Sequence, residues 1–235
     1  MDKQLNNLLL KGPIKNMAIL GFFSQYPIES FHIEGNSAII FGRSDQLWAH
    51  ISSSNAEELK ILLGKYQHKT KSFYSVEEWM IPYILEYGEP YYIMKTNMYI
   101  LDLTTPTDQP KMEIVEIDRT HKHYMYENSD YKKYISTKYI EERLEKDISA
   151  GILVENTLVA WGFTHDDGAL GFLHVMPEYR KTGYGLDISL ALIQMRKEAQ
   201  KPIFVNIVPE NTPSINLVTK LGFKFDRETN WIKLK

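Results

Sequence analysis

Apolar positions along this chain fall into two periods. At residues 38–41, 46–51 and 91–103 they sit in short runs rich in β-branched and aromatic residues, which predicts strands. At residues 3–10, 55–65 and 76–87 they recur at helical spacing, with Asn55 placed to cap the second of these helices. Beyond residue 112 the two periods alternate. Residues 112–117 read as a strand and 140–148 as an amphipathic helix. Three strands follow at 152–155, 158–164 and 170–176, turned by Asn156-Thr157 and by Asp166-Asp167-Gly168. The predicted order is strand, two helices, three strands, helix, strand, helix, and a last strand pair around Phe225 and Trp231.

The segment 103–110 breaks the pattern, being polar, punctuated by Pro106 and Pro110, and free of periodic apolar residues. It predicts a linker at residues 104–111 between an N-terminal α/β domain (1–103) and a second domain (112–235).

Candidate chemistry gathers at one junction. Arg180, Lys181, Thr182, Gly183, Tyr184 and Gly185 lie between an apolar run (Phe172, Leu173, Val175, Met176) and a helical one (186–199), which makes a strand, a glycine turn and a helix start. A turn that wraps its N–H groups around an anion needs positive φ and close backbone approach, and a Cβ obstructs both. The unpaired N–H groups of the helix start favour a phosphate. Arg180 and Lys181 add positive charge, and Pro177 stops the strand. Taken alone, the six residues fit a tight connection as well as a phosphate cradle. A second element weighs for the cradle: residues 202–208 read as a buried strand, and Asn211-Thr212-Pro213-Ser214 then opens a short helix that Gly222 closes.

The run Leu173-His174-Val175-Met176-Pro177-Glu178-Tyr179-Arg180-Lys181-Thr182-Gly183-Tyr184-Gly185, followed by Asn211-Thr212-Pro213-Ser214 and Leu221-Gly222-Phe223, resembles the GNAT superfamily of acyl-CoA-dependent N-acyltransferases. Arg180, Gly183 and Gly185 meet its Arg/Gln-x-x-Gly-x-Gly/Ala pattern, and the residues from Pro177 to Arg180 look closest to the glycine N-acyltransferase-like branch. The resemblance covers residues 112–235. It implies an α/β (α+β) fold, a GNAT-like mixed central sheet flanked by helices, with the smaller α/β domain in front of it as a diverged partial copy. It also implies acetyl-CoA or another acyl-CoA as co-substrate. The amides from Arg180 through Gly185 would hold its pyrophosphate, the strand edge at His174 to Met176 its pantetheine and thioester, and Asn211 and Ser214 its arm. Val175 and Met176 N–H are the candidate donors to the oxyanion that develops on amine attack. The expected reaction is direct attack, in a ternary complex, by a primary amine of a small molecule or an amino acid.

Two family positions depart from the pattern. Val218 stands where many relatives carry a tyrosine acid, and Asn206 where some carry a glutamate; neither side chain titrates. His174 is then the best-placed base, with Glu155 and His165 as alternatives, although its position fits a packing role too.

Composition narrows the rest. With 27 Lys and Arg against 30 Asp and Glu, a net charge of −3 gives no general attraction to nucleic acid or an anionic membrane. The absence of cysteine excludes disulfides, a thiol nucleophile and thiolate metal sites. His121-Lys122-His123 lacks a metal-ligand spacing, so no metal is expected. No window reaches the length of a membrane span, and residues 1–11 lack the features of a signal peptide, so a cytoplasmic monomer or homodimer acting on a small molecule is expected. Tyr124, Tyr126, Tyr131, Tyr134 and Tyr139 either pack or line the acceptor site, and Glu141, Glu142, Arg143, Glu145 and Lys146 predict a solvated helix face. Two rival readings remain: a non-catalytic acyl-CoA-binding or regulatory protein, and a protein N-acetyltransferase.

Overall fold

The computed structural model describes every residue except Tyr131, Lys133 and Tyr134. Its first half contains α1 (Lys3–Leu9), α2 (Met17–Gln25), β1 (Ile28–Glu34), β2 (Ser37–Arg43), β3 (Leu47–Ser52), α3 (Ala56–Tyr66), β4 (Ser72–Glu77), α4 (Ile81–Leu85) and β5 (Pro90–Leu101). The second half contains α5 (Lys122–Glu127), α6 (Thr137–Lys146), β6 (Ser149–Val154), β7 (Thr157–Thr164), β8 (Leu170–Val175), α7 (Tyr184–Glu198), β9 (Ile203–Ile207), α8 (Thr212–Lys220) and β10 (Lys224–Leu234). The strands form one sheet in the order β1-β2-β3-β4-β10-β5-β9 and a second in the order β6-β7-β8.

The chain divides into two compact units that do not follow its linear order. One holds residues 1–98, 206–212 and 225–235, the other 99–205 and 213–224. In place of a last strand pair there is one continuous strand, β10, and it belongs with the N-terminal residues because it pairs with β4 from Thr229↔Glu77 to Lys233↔Ser72.

In the first unit β3 is buried on both faces, which explains its near-continuous apolar run. Ala49 and Ile51 pack with Leu59, Leu62 and Leu63 of α3, while Trp48 packs with Phe22, Tyr26, Tyr74 and Trp231. His50 lies on that second side against Phe22, and burial pushes its pKa down to about 3, so it is neutral at physiological pH. Asn55 caps α3 as the sequence predicts, its side chain accepting from Glu57 and Glu58 N–H. The helix expected at 76–87 starts late: Val76 is still paired, with Asn230, and Pro82 opens α4. The pattern gave no signal for α2 or β1, and both are additional elements.

In the second unit the strand expected at 112–117 is reduced to a bridge, Val115↔Gly151. Helix α7 packs on one side of β6-β7-β8. A Cβ on Gly162 would come within 2.8 Å of Ile188 Cγ2 and 3.0 Å of Leu192 Cδ1, so this glycine sets how closely α7 approaches the sheet. Trp161 and Phe163 pack instead with Met125, Ile140 and Leu144 of α5 and α6. Arg143 corrects the expectation of a solvated face. It is fully buried, with Nε donating to the Thr164 carbonyl at 3.0 Å. Nearby, Arg196 on α7 donates to Asp147 Oδ2 (2.8 Å) and to the Gly168 carbonyl (2.6 Å), fastening the β7–β8 turn to α7. Asp166 and Asp167 make that turn, as predicted, but from buried positions. Among the described residues no helix is long and apolar enough to cross a membrane.

Candidate functional site

Strand β8 is the edge of its sheet, so its outer N–H and C=O groups have no strand partner. Which amides face outward follows from the register. Ala160 pairs with Val175 and Trp161 with His174, and Met176 N–H donates to the Val159 carbonyl at 2.9 Å. In an antiparallel ladder this makes Ala160↔Val175 a non-hydrogen-bonded pair, and Val175 N–H points away from β7. Met176 N–H is therefore occupied, which corrects its expected role as a donor. A bulge interrupts the ladder between the Trp161 and Phe163 pairings, where Phe172 takes φ 49°.

Past β8 the chain makes a single turn of 3₁₀ helix (Pro177–Tyr179), reverses through left-handed Lys181 (φ 67°) and Gly183 (φ 99°), and enters α7. Gly183 caps α7 with its carbonyl alone, accepting from Leu186 and Asp187 N–H at 3.0 and 3.1 Å. Among the described residues the N–H groups of Lys181, Thr182, Gly183, Tyr184 and Gly185 have no protein acceptor. A Cβ built on Gly183 meets nothing within 4 Å, so the space on that side of Gly183 is open. Together they lie at the positive end of a 15-residue helix, an arrangement that suits an anion.

Three expectations change here. Arg180 N–H donates to the Pro177 carbonyl at 3.3 Å, so the free amides begin at Lys181. The Arg180 side chain bonds the Val175 carbonyl through Nε (3.1 Å), which ties the cation to the strand end. Gly185 does not take positive φ; that conformation falls to Lys181 instead. A Cβ at Gly185 would make ordinary contacts with Val175 Cγ2 (3.6 Å) and Leu173 Cδ2 (3.9 Å).

Leu173 and Val175 thus face the start of α7, and His174 takes the opposite face, as alternation predicts. Its ring stacks on Trp161, centroids 4.5 Å apart at 22°. Its Nε2 is buried with no hydrogen-bond partner among the described residues. Burial holds the His174 pKa below the ordinary histidine value, with Arg180 acting in the same direction and Asp130 against it. The ring is consequently neutral at physiological pH and able to take a proton.

His174 also lines a small, partly open cleft. Its other walls come from Met125, Ser129, Asp130, Ile135 and Ile140 and from Trp161, Phe163, Phe172 and Leu173. Sequence reasoning missed Asp130, Trp161 and Phe172 as site residues. Asp130 sits in a connection with no motif around it. The Trp161–His174 pairing depends on the bulge at Phe172, because a regular ladder continued from Thr164↔Leu170 would set Trp161 opposite Leu173.

The alternative bases lie elsewhere. Glu155 (φ 48°) is exposed in the β6–β7 turn with Asn156 (φ 61°), and Thr157 already belongs to β7. His165 packs on Phe172, and burial, reinforced by Arg143, pushes its pKa down to about 3. Val218 is buried, and Asn206 accepts from Thr229 Oγ1 at 3.4 Å. Asn211 lies in the turn before α8, with its N–H on the Val208 carbonyl at 3.0 Å, and Ser214 lies in the first turn of α8. Of the aromatic residues expected to pack or line the acceptor site, Tyr124 stands edge-on to Trp161 (5.9 Å) and Tyr139 contacts Phe172 (5.8 Å). Tyr131 and Tyr134 lie outside the described residues. No group of three or more histidine or carboxylate side chains with metal-holding geometry occurs among the described residues.

Residues 149–232, from β6 to within β10, match the family model described as FR47-like protein. A Drosophila melanogaster protein solved by X-ray crystallography is similar over 100% of this chain and 97% of its own, at 18% identity and a TM-score of 0.81. A GCN5-related N-acetyltransferase-like protein from Streptococcus suis is similar over 98% and 99% of the two chains, at 13% identity and a TM-score of 0.56. For a GCN5-related N-acetyltransferase from Kribbella flavida the figures are 94% and 95%, with 12% identity and a TM-score of 0.60. No curated protein matches the chain by sequence. At these identities the likeness is one of architecture: a mixed multistranded sheet flanked by helices, as in the GNAT acetyltransferase fold.

Proposed function

We propose that the protein is an N-acyltransferase that moves an acetyl group from acetyl-CoA to a primary amine by direct attack. One observation carries this reading: five consecutive amides without acceptors at the start of α7 adjoin the unpaired edge of β8 on which Val175 N–H points outward. The cradle suits a pyrophosphate, and the edge suits the amide-bearing pantetheine arm of the same molecule. Val175 N–H then meets the thioester oxygen as negative charge develops there. In the step itself the amine nitrogen bonds to the thioester carbon, and the C–S bond breaks with its electron pair going to sulfur. The proton released from nitrogen passes to His174 Nε2, the ring keeping its own proton on Nδ1. A thiolate is a good enough leaving group to depart without an acid, so Val218 does not exclude turnover.

Val218 and Asn206 do favour a second reading, a protein that binds acyl-CoA without turning it over. Calorimetric titration with acetyl-CoA and desulfo-CoA, followed by an assay for free thiol with a panel of amines, separates the two. Micromolar binding with thiol release supports the transferase, and binding without release from any amine supports the second reading. If neither ligand binds, both readings fail.

A further inference from the structure

We infer that Trp161 is a positioning residue for the transfer: its indole face stabilises the imidazolium that forms when His174 takes the acceptor's proton. The inference rests on the N-acyltransferase reading, with His174 as the base, and deepens it. Its basis is the pair of rings. Trp161 on β7 and His174 on β8 are cross-strand partners, and their rings stack with centroids 4.5 Å apart at 22°. The imidazole therefore lies on the indole face, the side of the ring that carries negative potential.

The two protonation states of His174 do not gain equally from that contact. A neutral imidazole gains ring packing alone. With a proton added at Nε2 the ring carries a positive charge, and tryptophan offers a cation the best aromatic face. An interaction that strengthens as charge develops lowers the barrier to proton transfer, whereas one equal in both states does not. Nε2 is buried without a hydrogen-bond partner among the described residues, so the new charge is compensated through the ring face and not through an acceptor there.

The surroundings keep the indole in place. Trp161 is buried among Met125, Ile140 and Leu144 of α5 and α6, and Tyr124 stands edge-on to it at 5.9 Å. Burial, with Glu178 and Tyr179 acting in the same direction, pushes the Tyr124 pKa up, so this neighbour stays neutral. Of the charged groups acting on His174 itself, Asp130 favours the imidazolium and Arg180 opposes it. The indole also withdraws water from His174, and that effect alone disfavours the charged ring. The two roles of Trp161 thus have opposite signs.

That difference supplies the test. Imidazole nitrogen and proton chemical shifts of His174 are followed against pH in the full chain, with His174→Gln identifying the resonances. In Trp161→Leu the midpoint should fall by about one pH unit, and in Trp161→Phe, which keeps a smaller ring face, by about half as much. A merely structural role would raise the midpoint, because water admitted beside the smaller side chain relieves the desolvation. With acetyl-CoA and an amine that the parent accepts, kcat of Trp161→Leu should fall about fivefold, with acetyl-CoA affinity within about twofold of the parent. Should the leucine variant not fold, the phenylalanine variant decides by the sign of its midpoint shift. A midpoint that is unchanged or raised, or a Trp161→Leu kcat within about twofold of the parent, overturns the inference and leaves the transferase reading standing. Failure of acetyl-CoA to bind overturns the transferase reading instead. The titration alone then decides the inference: a lowered midpoint supports it, and an unchanged or raised one overturns it.

Discussion

Asp167→Asn should stabilise the second unit, and by an amount that grows with pH. Asp167 is buried in the β7–β8 turn, where burial first and Asp166 second push its pKa up to about 7 from an ordinary 3.8, against the opposing pull of Ala169 N–H, Arg143 and Arg196. A raised carboxyl pKa means that the folded chain holds the proton more tightly than the unfolded one. The stability this contributes is complete below the unfolded pKa and is lost as pH rises to the folded pKa. A shift of about three units corresponds to roughly 4 kcal/mol once both states are ionised. Asparagine keeps the bond from Ala169 N–H to Oδ1 (2.9 Å) and never ionises. Its second polar atom takes the place of Oδ2, which has no partner among the described residues. The variant should therefore gain roughly 1–2 kcal/mol at pH 5 and roughly 4 kcal/mol at pH 8 over the parent at the same pH. Amide hydrogen exchange of peptides from β7 and α7, measured where it reports equilibrium opening, reads this unit apart from the other. A difference between variant and parent that is the same at pH 5 and pH 8 would refute the reasoning.

Removing Arg196 acts on the same turn in the opposite sense. Arg196→Ala takes a buried partner from Asp147 while Arg143 and Lys201 stay within 3.8 and 3.7 Å, so a loss of about 3 kcal/mol is expected by the same exchange measurement. Gly183→Asp puts bulk and negative charge into the open space at Gly183, within the run of five free amides, and should weaken acetyl-CoA binding at least tenfold by calorimetry; unchanged affinity in a folded variant removes the phosphate assignment. For the base, kcat/KM should rise with pH on an acid limb below the ordinary histidine pKa. Asp130→Asn, by removing the charge that holds the His174 pKa up, should move that limb to lower pH, and His174→Ala should abolish it.

How much of this was legible beforehand depends on the range of the interaction involved. The three strands β6, β7 and β8, the turn at Asp166-Asp167-Gly168, the Asn55 cap and the junction from Pro177 into α7 are set by neighbours within a few residues, and the sequence specifies them to within one to three residues at each end. The glycine pattern likewise located the run of free amides at the start of α7. Its conformational division of labour was not legible, since a left-handed Lys181 does what Gly185 was expected to do. A lysine there obeys no local preference, and the structure around it fixes its backbone.

The chain by itself determined where strand, turn and helix meet around residues 170–199, because hydrophobic period, proline and glycine act locally. Only the tertiary structure decided that Met176 N–H is taken and Val175 N–H is available, since a bulge at Phe172 shifts the register by one residue. It also decided that Asp130 comes to His174, that Arg143 is buried, and that β10 pairs with β4 across a long stretch of sequence. These depend on which distant side chains share a buried volume, a property of packing that no spacing along the chain encodes.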